Sequence, residues 1–157
     1  MSYALDTNLL VRTLHQNHPM QPIAVQAVER LLDQGVALHV FPQNLYEFWV
    51  VATRPIDQNG LGMDVTKTLR ELARLKSALP LLPDIPEIYS EWERLVSQHS
   101  VSGRKAHDAR IVAAMKVYGL NHLVTFNTDD FKRYAGITVV DPQDIVASAP
   151  GGGPEIS

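Results

Sequence analysis

The chain has 157 residues, 45% hydrophobic and 20% charged, with a net charge of −3, a pI near 6.0 and no cysteine. These figures exclude a disulfide framework, a thiolate metal site and the broad basic face of a general nucleic-acid binder. They fit one domain able to bury roughly two thirds of its unfolded surface.

Tyr3–Asp6 reads as a short apolar strand, and a helical pattern starts directly after it, with Thr7 or Asn8 available as its cap. Ile23, Ala27, Val28, Leu31 and Leu32 keep helical spacing, and Gly35 sits where such a helix stops. Ala37–Phe41 is the second strand. Leu45–Ala52 carries one charge, Glu47, among seven apolar or aromatic residues, the pattern of a helix buried all round. Pro55–Met63, with Asn59-Gly60 and Gly62, is turn chemistry. Asp64 caps a helix bearing Val65, Leu69, Leu72, Ala73 and Leu79. Ile88, Trp92, Leu95 and Val96 mark another after Pro86, and a further helix runs from about Lys105 to Gly119. His122–Phe126 and Thr138–Asp141 complete the strands. Short, non-alternating apolar strands between helices predict an α/β fold with a parallel sheet covered on both faces. The expected organisation is a single domain over residues 1–148 and a flexible Pro/Gly-rich tail over 149–157. The amino terminus lacks a basic-then-apolar leader pattern, and no apolar run nears the ~18 residues of a membrane span, so a cytoplasmic location is expected.

Four acidic positions stand out. In an open α/β sheet, ligands sit beyond the carboxyl ends of the strands. Asp6 stands there, although as a helix cap it needs no chemistry. Glu47 needs a partner if buried, either an arginine such as Arg12 or Arg54, or a cation. Asp108 shares a helical face with the apolar Ile111, Val112 and Met115, near a helix start where the dipole alone favours an anion. Asn127, Thr128, Asp129 and Asp130 follow another strand end, where an Asx turn and cap are the plain alternative. Converging carboxylates repel one another, and a hard divalent cation removes that penalty. Acids without Cys or paired His favour Mg²⁺ or Mn²⁺ over Zn²⁺. The chemistry that fits is hydrolysis of a phosphodiester, with the cation lowering the pKa of a bound water.

The segments "LDTNLL", "NLYEFWVVATRP", "HDARIVAAM" and "LVTFNTDDF", in this order and spacing, resemble those of PIN domains, in particular the VapC-type toxins of bacterial toxin–antitoxin pairs. The resemblance spans about Tyr3 to Ile145. It implies a PIN-like (Rossmann-like) parallel sheet, a Mg²⁺- or Mn²⁺-dependent ribonuclease, frequent homodimers and a small antitoxin protein that blocks the site. Asp6, Glu47 and Asp108 match the family's acidic triad. Asp130 matches the fourth acidic position best, with Asp129 or Asn127 as alternatives; Asn127 stands where other members carry Asp. Thr7 matches the hydroxyl beside the first Asp, available to orient it or a water, and Asn8 continues the motif.

On this basis Asp6 and Asp108 are expected to hold a metal directly, with Glu47 and Asp130 completing its shell and orienting or deprotonating the attacking water. The expected products carry 5′-phosphate and 3′-hydroxyl ends. Arg12, Arg104, Lys105, Arg110, Lys116, Lys132 and Arg133 are candidates for local phosphate contacts, Arg12 and Arg110 before the rest; most of them also read as ordinary surface charge. No histidine is assigned to catalysis or metal, and Phe48, Trp49 and Trp92 read as core or dimer interface. The alternatives are a non-catalytic PIN scaffold and a housekeeping RNA-processing nuclease. A phosphatase of the haloacid-dehalogenase type is disfavoured by Asn8, where a second acid is needed. A dinucleotide or P-loop protein is disfavoured by the absence of both glycine motifs.

Overall fold

A computed structural model describes residues 1–148; the tail expected at 149–157 lies outside the described residues. Four short apolar segments form the sheet: β1 (Ser2–Leu5), β2 (Ala37–His39), β3 (His122–Val124) and β4 (Thr138–Val140). All pairings are parallel, in the order β2-β1-β3-β4. β1 is shifted back by one residue and the other three strands end one or two residues before their apolar runs do, because Asp6, Phe41, Thr125 and Asp141 serve the turns and helix caps that follow.

Side chains alternate across the sheet. Tyr3, Leu5, Leu38 and Val124 face one core, closed by α1 (Thr7–Thr13), α2 (Gln21–Asp33) and α7 (Pro142–Ala147). Ala4 and Leu123 face the other, closed by α5 (Pro86–Gln98) and α6 (Lys105–Tyr118). Helix α6 buries Ala109, Ile111, Val112, Ala113, Ala114 and Met115 because α5 covers it on the side away from the sheet. It ends at Gly119, whose φ of 73° is the left-handed cap that glycine adopts without strain. The chain leaves β1 over one face to reach β2 and arrives at β3 over the other. The carboxyl ends of β1 and β3 therefore border the crevice where the connections diverge, the place an open parallel sheet offers a ligand.

Of the two readings of the α1 cap, the structure has Asp6 and not Thr7 or Asn8: its side chain accepts from the Thr7 amide. One expectation changes. The helix carrying Glu47, α3 (Pro42–Thr53), is not buried all round. Phe48 is fully buried, but Tyr46 is 67% and Val50 56% exposed. Their face borders a cleft instead of the core.

That cleft's outer wall is the segment 54–63, a 3₁₀ turn (Ile56–Gln58) folded back on the end of α3. The amides of Leu61 and Met63 bond to the carbonyls of Val51 and Ala52, each at 2.9 Å, satisfying acceptors that a helix end leaves open. Before helix α4 (Val65–Ala78) begins, Gly60 passes so close to Arg54 that an added Cβ would lie 1.9 Å from its carbonyl oxygen. Gly60→Ala should destabilise the protein by about 3 kcal/mol through this overpacking, read as a lower midpoint in chemical denaturation, whereas Gly35→Ala, where a Cβ meets nothing within 4 Å, should act only through its left-handed backbone.

Candidate active site

Asp6 is 8% exposed, and four hydrogen bonds fix its surroundings. Its Oδ1 accepts from the Thr7 amide and its Oδ2 from the Thr125 hydroxyl, each at 2.8 Å. The Thr125 oxygen in turn accepts from the Asn8 side-chain amide at 3.2 Å and from the Asn127 backbone amide at 3.0 Å. With both lone pairs engaged, the single hydroxyl hydrogen of Thr125 is committed to Asp6. Thr125 is wholly buried.

Glu47 is reached through Thr7. The Thr7 hydroxyl donates to Glu47 Oε1 at 2.7 Å and accepts from the Asn44 amide at 3.2 Å. Asn44, fully buried, also caps α3 by accepting the Phe41 amide at 2.8 Å. Gln43 donates to the His107 carbonyl at 2.8 Å and approaches Glu47 Oε2 at 3.4 Å, so it cross-links α3 to the start of α6. Glu47 thus leans on a hydroxyl and an amide, and neither Arg12 nor Arg54 pairs with it. Arg110 also departs from expectation: it donates to Gln43 Oε1 at 3.0 Å and pairs with Asp84 at 3.1 Å, turned away from the acids.

Asp108 sits half-buried in the first turn of α6. Asp130 lies on a 3₁₀ turn (Thr128–Phe131) after β3, its amide bonded to the Asn127 carbonyl at 3.1 Å. Two open clefts meet here. One of about 1060 Å³ is lined by Asp6, Thr7 and Asn8; one of about 820 Å³ is lined by Asp130, Lys105 and Arg133; Glu47, Arg104, Asp108 and Asn127 border both. Asp6, Glu47, Asp108 and Asp130 thus surround one junction, with Thr7 and Asn127 beside them. Asp129 does not join them: its side chain is 86% exposed and paired with Lys132. Lys116 is likewise engaged elsewhere, on the Ala135 carbonyl.

Among the described residues none of the four acids at the junction forms an ion pair. Burial, and then the charges of Glu47 and Asp130, push Asp6 up to about 6 against the opposing bonds from Thr125 and Thr7. Burial, and then Asp6, Asp130 and Glu47, push Asp108 up to about 7. A crevice of uncompensated carboxylate oxygens suits a hard cation. Also among the described residues, no three Asp, Glu or His side chains converge into a finished metal cage. The donor set fits an ion such as Mg²⁺, which keeps several waters and takes only one or two carboxylates directly.

Thr125, Gln43 and Asn44 were not anticipated from the sequence. Thr125 had a faint signal, as the one hydroxyl inside an apolar strand run.

A PIN domain family model matches residues 3–137. No curated protein matches the chain. Among solved structures, the chain is similar to VapBC2 of Rickettsia felis bound to a promoter DNA fragment, at 18% identity and a TM-score of 0.64, covering 90% of this chain and 98% of that one. It is similar to FitAcB of Neisseria gonorrhoeae at 18% identity and a TM-score of 0.66, over 90% and 98%. It is also similar to VapC20 of Mycobacterium tuberculosis, described as a sarcin-ricin loop cleaving toxin, at 17% identity and a TM-score of 0.61, over 83% and 94%. These likenesses are of fold.

Thr125→Val should cost about 1–3 kcal/mol of stability, since it takes the hydroxyl donor from the buried Asp6 carboxylate; equilibrium denaturation measures it. Stability should also depend on pH. Between the ordinary Asp range near ~3.9 and the native values of about 6 for Asp6 and about 7 for Asp108, the folded state holds more protons than the unfolded chain. Unfolding free energy therefore falls as pH rises through that window and levels off above it. Metal-free protein should melt lower at about pH 8 than at about pH 5, with a smaller gap in Asp108→Asn and on adding Mn²⁺; scanning calorimetry checks the sign.

Proposed function

We propose that this chain, which belongs to the PIN domain family, is a Mg²⁺- or Mn²⁺-dependent ribonuclease that hydrolyses RNA phosphodiester bonds at the Asp6–Glu47–Asp108–Asp130 junction. The observation that carries this reading is the collection of four carboxylates from four separate segments at one crevice, none of them, among the described residues, in an ion pair. Such an arrangement is adverse for the bare protein and favourable with a divalent cation.

Asp6 and Asp108 would hold the ion, the first fixed by Thr125 and the Thr7 amide. When bound, the ion supplies a water of lowered pKa and neutralises charge on the phosphate. Glu47 and Asp130 would orient a water beside the phosphate and take up its proton. Thr7 holds Glu47 through its hydroxyl and leaves Oε2 nearly free to act. Asn127, with an uncharged side chain on the shared wall, orients substrate or water there, where an Asp would add a fifth charge. The water oxygen would bond to phosphorus as the P–O3′ bond breaks and the departing 3′-oxygen takes a proton from solvent, so the products carry 5′-phosphate and 3′-hydroxyl ends.

The reading extends to the toxin of a toxin–antitoxin pair: a homodimer in the cytoplasm, with a small antitoxin protein covering the clefts. Its support is the likeness of fold to chains solved as VapBC and FitAcB, and among the described residues no helix is long and apolar enough to cross a membrane.

Purified protein should cleave RNA with Mn²⁺ or Mg²⁺, and EDTA should abolish cleavage. Asp108→Asn should lower the rate at least about 100-fold, the scale of lost transition-state charge stabilisation, while circular dichroism and melting show an intact fold. Equal cleavage by wild type and Asp108→Asn, or cleavage indifferent to EDTA, would overturn the proposal.

A further inference from the structure

The larger cleft extends from the acids along α1 to a second polar cluster of opposite character. Arg12, His15 and His18 line it. Arg12 Nη1 lies 2.9 Å from His15 Nδ1, and the His18 Nδ1 accepts the Met20 amide at 3.0 Å. The two rings lie 4.8 Å apart. A guanidinium only donates, so His15 Nδ1 is the acceptor in its bond and His15 carries its hydrogen on Nε2; the same holds for His18. Each ring therefore has an Nε2–H donor to spare. Among the described residues no carboxylate pairs with Arg12. Apart from the His15 Nδ1 acceptor, the cluster presents donors around a positive charge that, among the described residues, no carboxylate offsets.

We infer that Arg12, with His15 and His18, forms a subsite for a second backbone phosphate of the single-stranded RNA whose scissile phosphate lies at the acids. This rests on the nuclease reading and names where the strand lies. Arg12 follows Asp6 by six residues, a helical rise of about 9 Å along α1, so it lies on the same cleft a short way along the strand from the acids. A strand with its scissile phosphate at the acids thus brings another phosphate to Arg12. The planar guanidinium and the imidazole N–H groups match phosphate oxygens in charge and donor count. Anchoring one phosphate here sets the direction in which the strand crosses the acids, a task the net charge of −3 leaves to local cations.

The test compares wild type with Arg12→Gln, Arg12→Lys and His15→Gln. One arm measures binding of a fluorescent, 2′-O-methylated single strand, which cannot use its 2′-hydroxyl, in Ca²⁺ over a salt series. The other measures steady-state cleavage of RNA in Mn²⁺. Arg12→Gln should raise Kd and KM about tenfold, as for loss of one charge-assisted phosphate contact, with the loss falling on KM and not on kcat. Its salt dependence should be shallower by about 0.7 in log–log slope, one single-strand phosphate contact. Arg12→Lys should keep the slope, and His15→Gln should weaken binding less than Arg12→Gln does. Unchanged Kd and slope in Arg12→Gln would overturn the inference; should that variant unfold, an altered slope in Arg12→Lys or unchanged binding in His15→Gln would do so. Wild type that cleaves normally while Arg12→Gln binds normally removes this subsite alone. Wild type that cuts no RNA, yet binds the strand through Arg12, removes the nuclease reading and leaves the subsite.

Discussion

Electrostatic repulsion among carboxylates in a partly dehydrated crevice is the constraint around which the molecule is built. Asp6 is almost fully buried, and Glu47, Asp108 and Asp130 raise its cost or have their own cost raised by it. A protein selected for stability alone would place an arginine there. Here Arg110 is within reach along the chain but is turned to Gln43 and Asp84. Instability has been left at one spot, as at sites whose shifted acids serve chemistry.

Neutral groups do the positioning that salt bridges do elsewhere. Thr125, Thr7 and Gln43 hold the acids by donating hydrogen bonds without cancelling their charge, and Asn44 holds Thr7 in the same way. A buried network of this kind is rigid only when every member is satisfied. Thr125, with one hydrogen given and two received, meets that condition, and so Asp6 stays in place while remaining available to a cation. The sheet supplies the frame: β1 and β3 are adjacent, so the Asp6 amide still bonds to the Val124 carbonyl at 3.0 Å, and the two strand ends stay in register where the acids meet.

The sheet was legible in the sequence because parallel strands buried on both faces need unbroken apolar runs, and Tyr3, Leu38, Leu123 and Val139 sit in such runs. Strand ends were less so, since Asp6, Phe41 and Thr125 look like strand continuations until the next helix claims their backbone groups. Asp6, Glu47, Asp108 and Asp130 could be singled out because a charge in an apolar setting is conspicuous. The exposure of Tyr46 and Val50 could not, because an apolar helix face is the same in sequence whether it meets a core or a cleft. Nor could Gln43 and Asn44, whose partners lie 64 and 37 residues away. Arg110 misled because proximity to Asp108 along the chain hides a helical turn of about 200° between positions two apart.

The bond from Arg110 to Gln43 has a further meaning. Asp84, on the surface between α4 and α5, steers Arg110; Arg110 steers Gln43; and Gln43 touches both Glu47 and the backbone of His107. A residue that looks free to vary is therefore a remote rudder for the crevice. Natural drift at that outlying position would be constrained by the alignment of two helices, and a homologue lacking the acid there would need another device to keep its glutamine aimed.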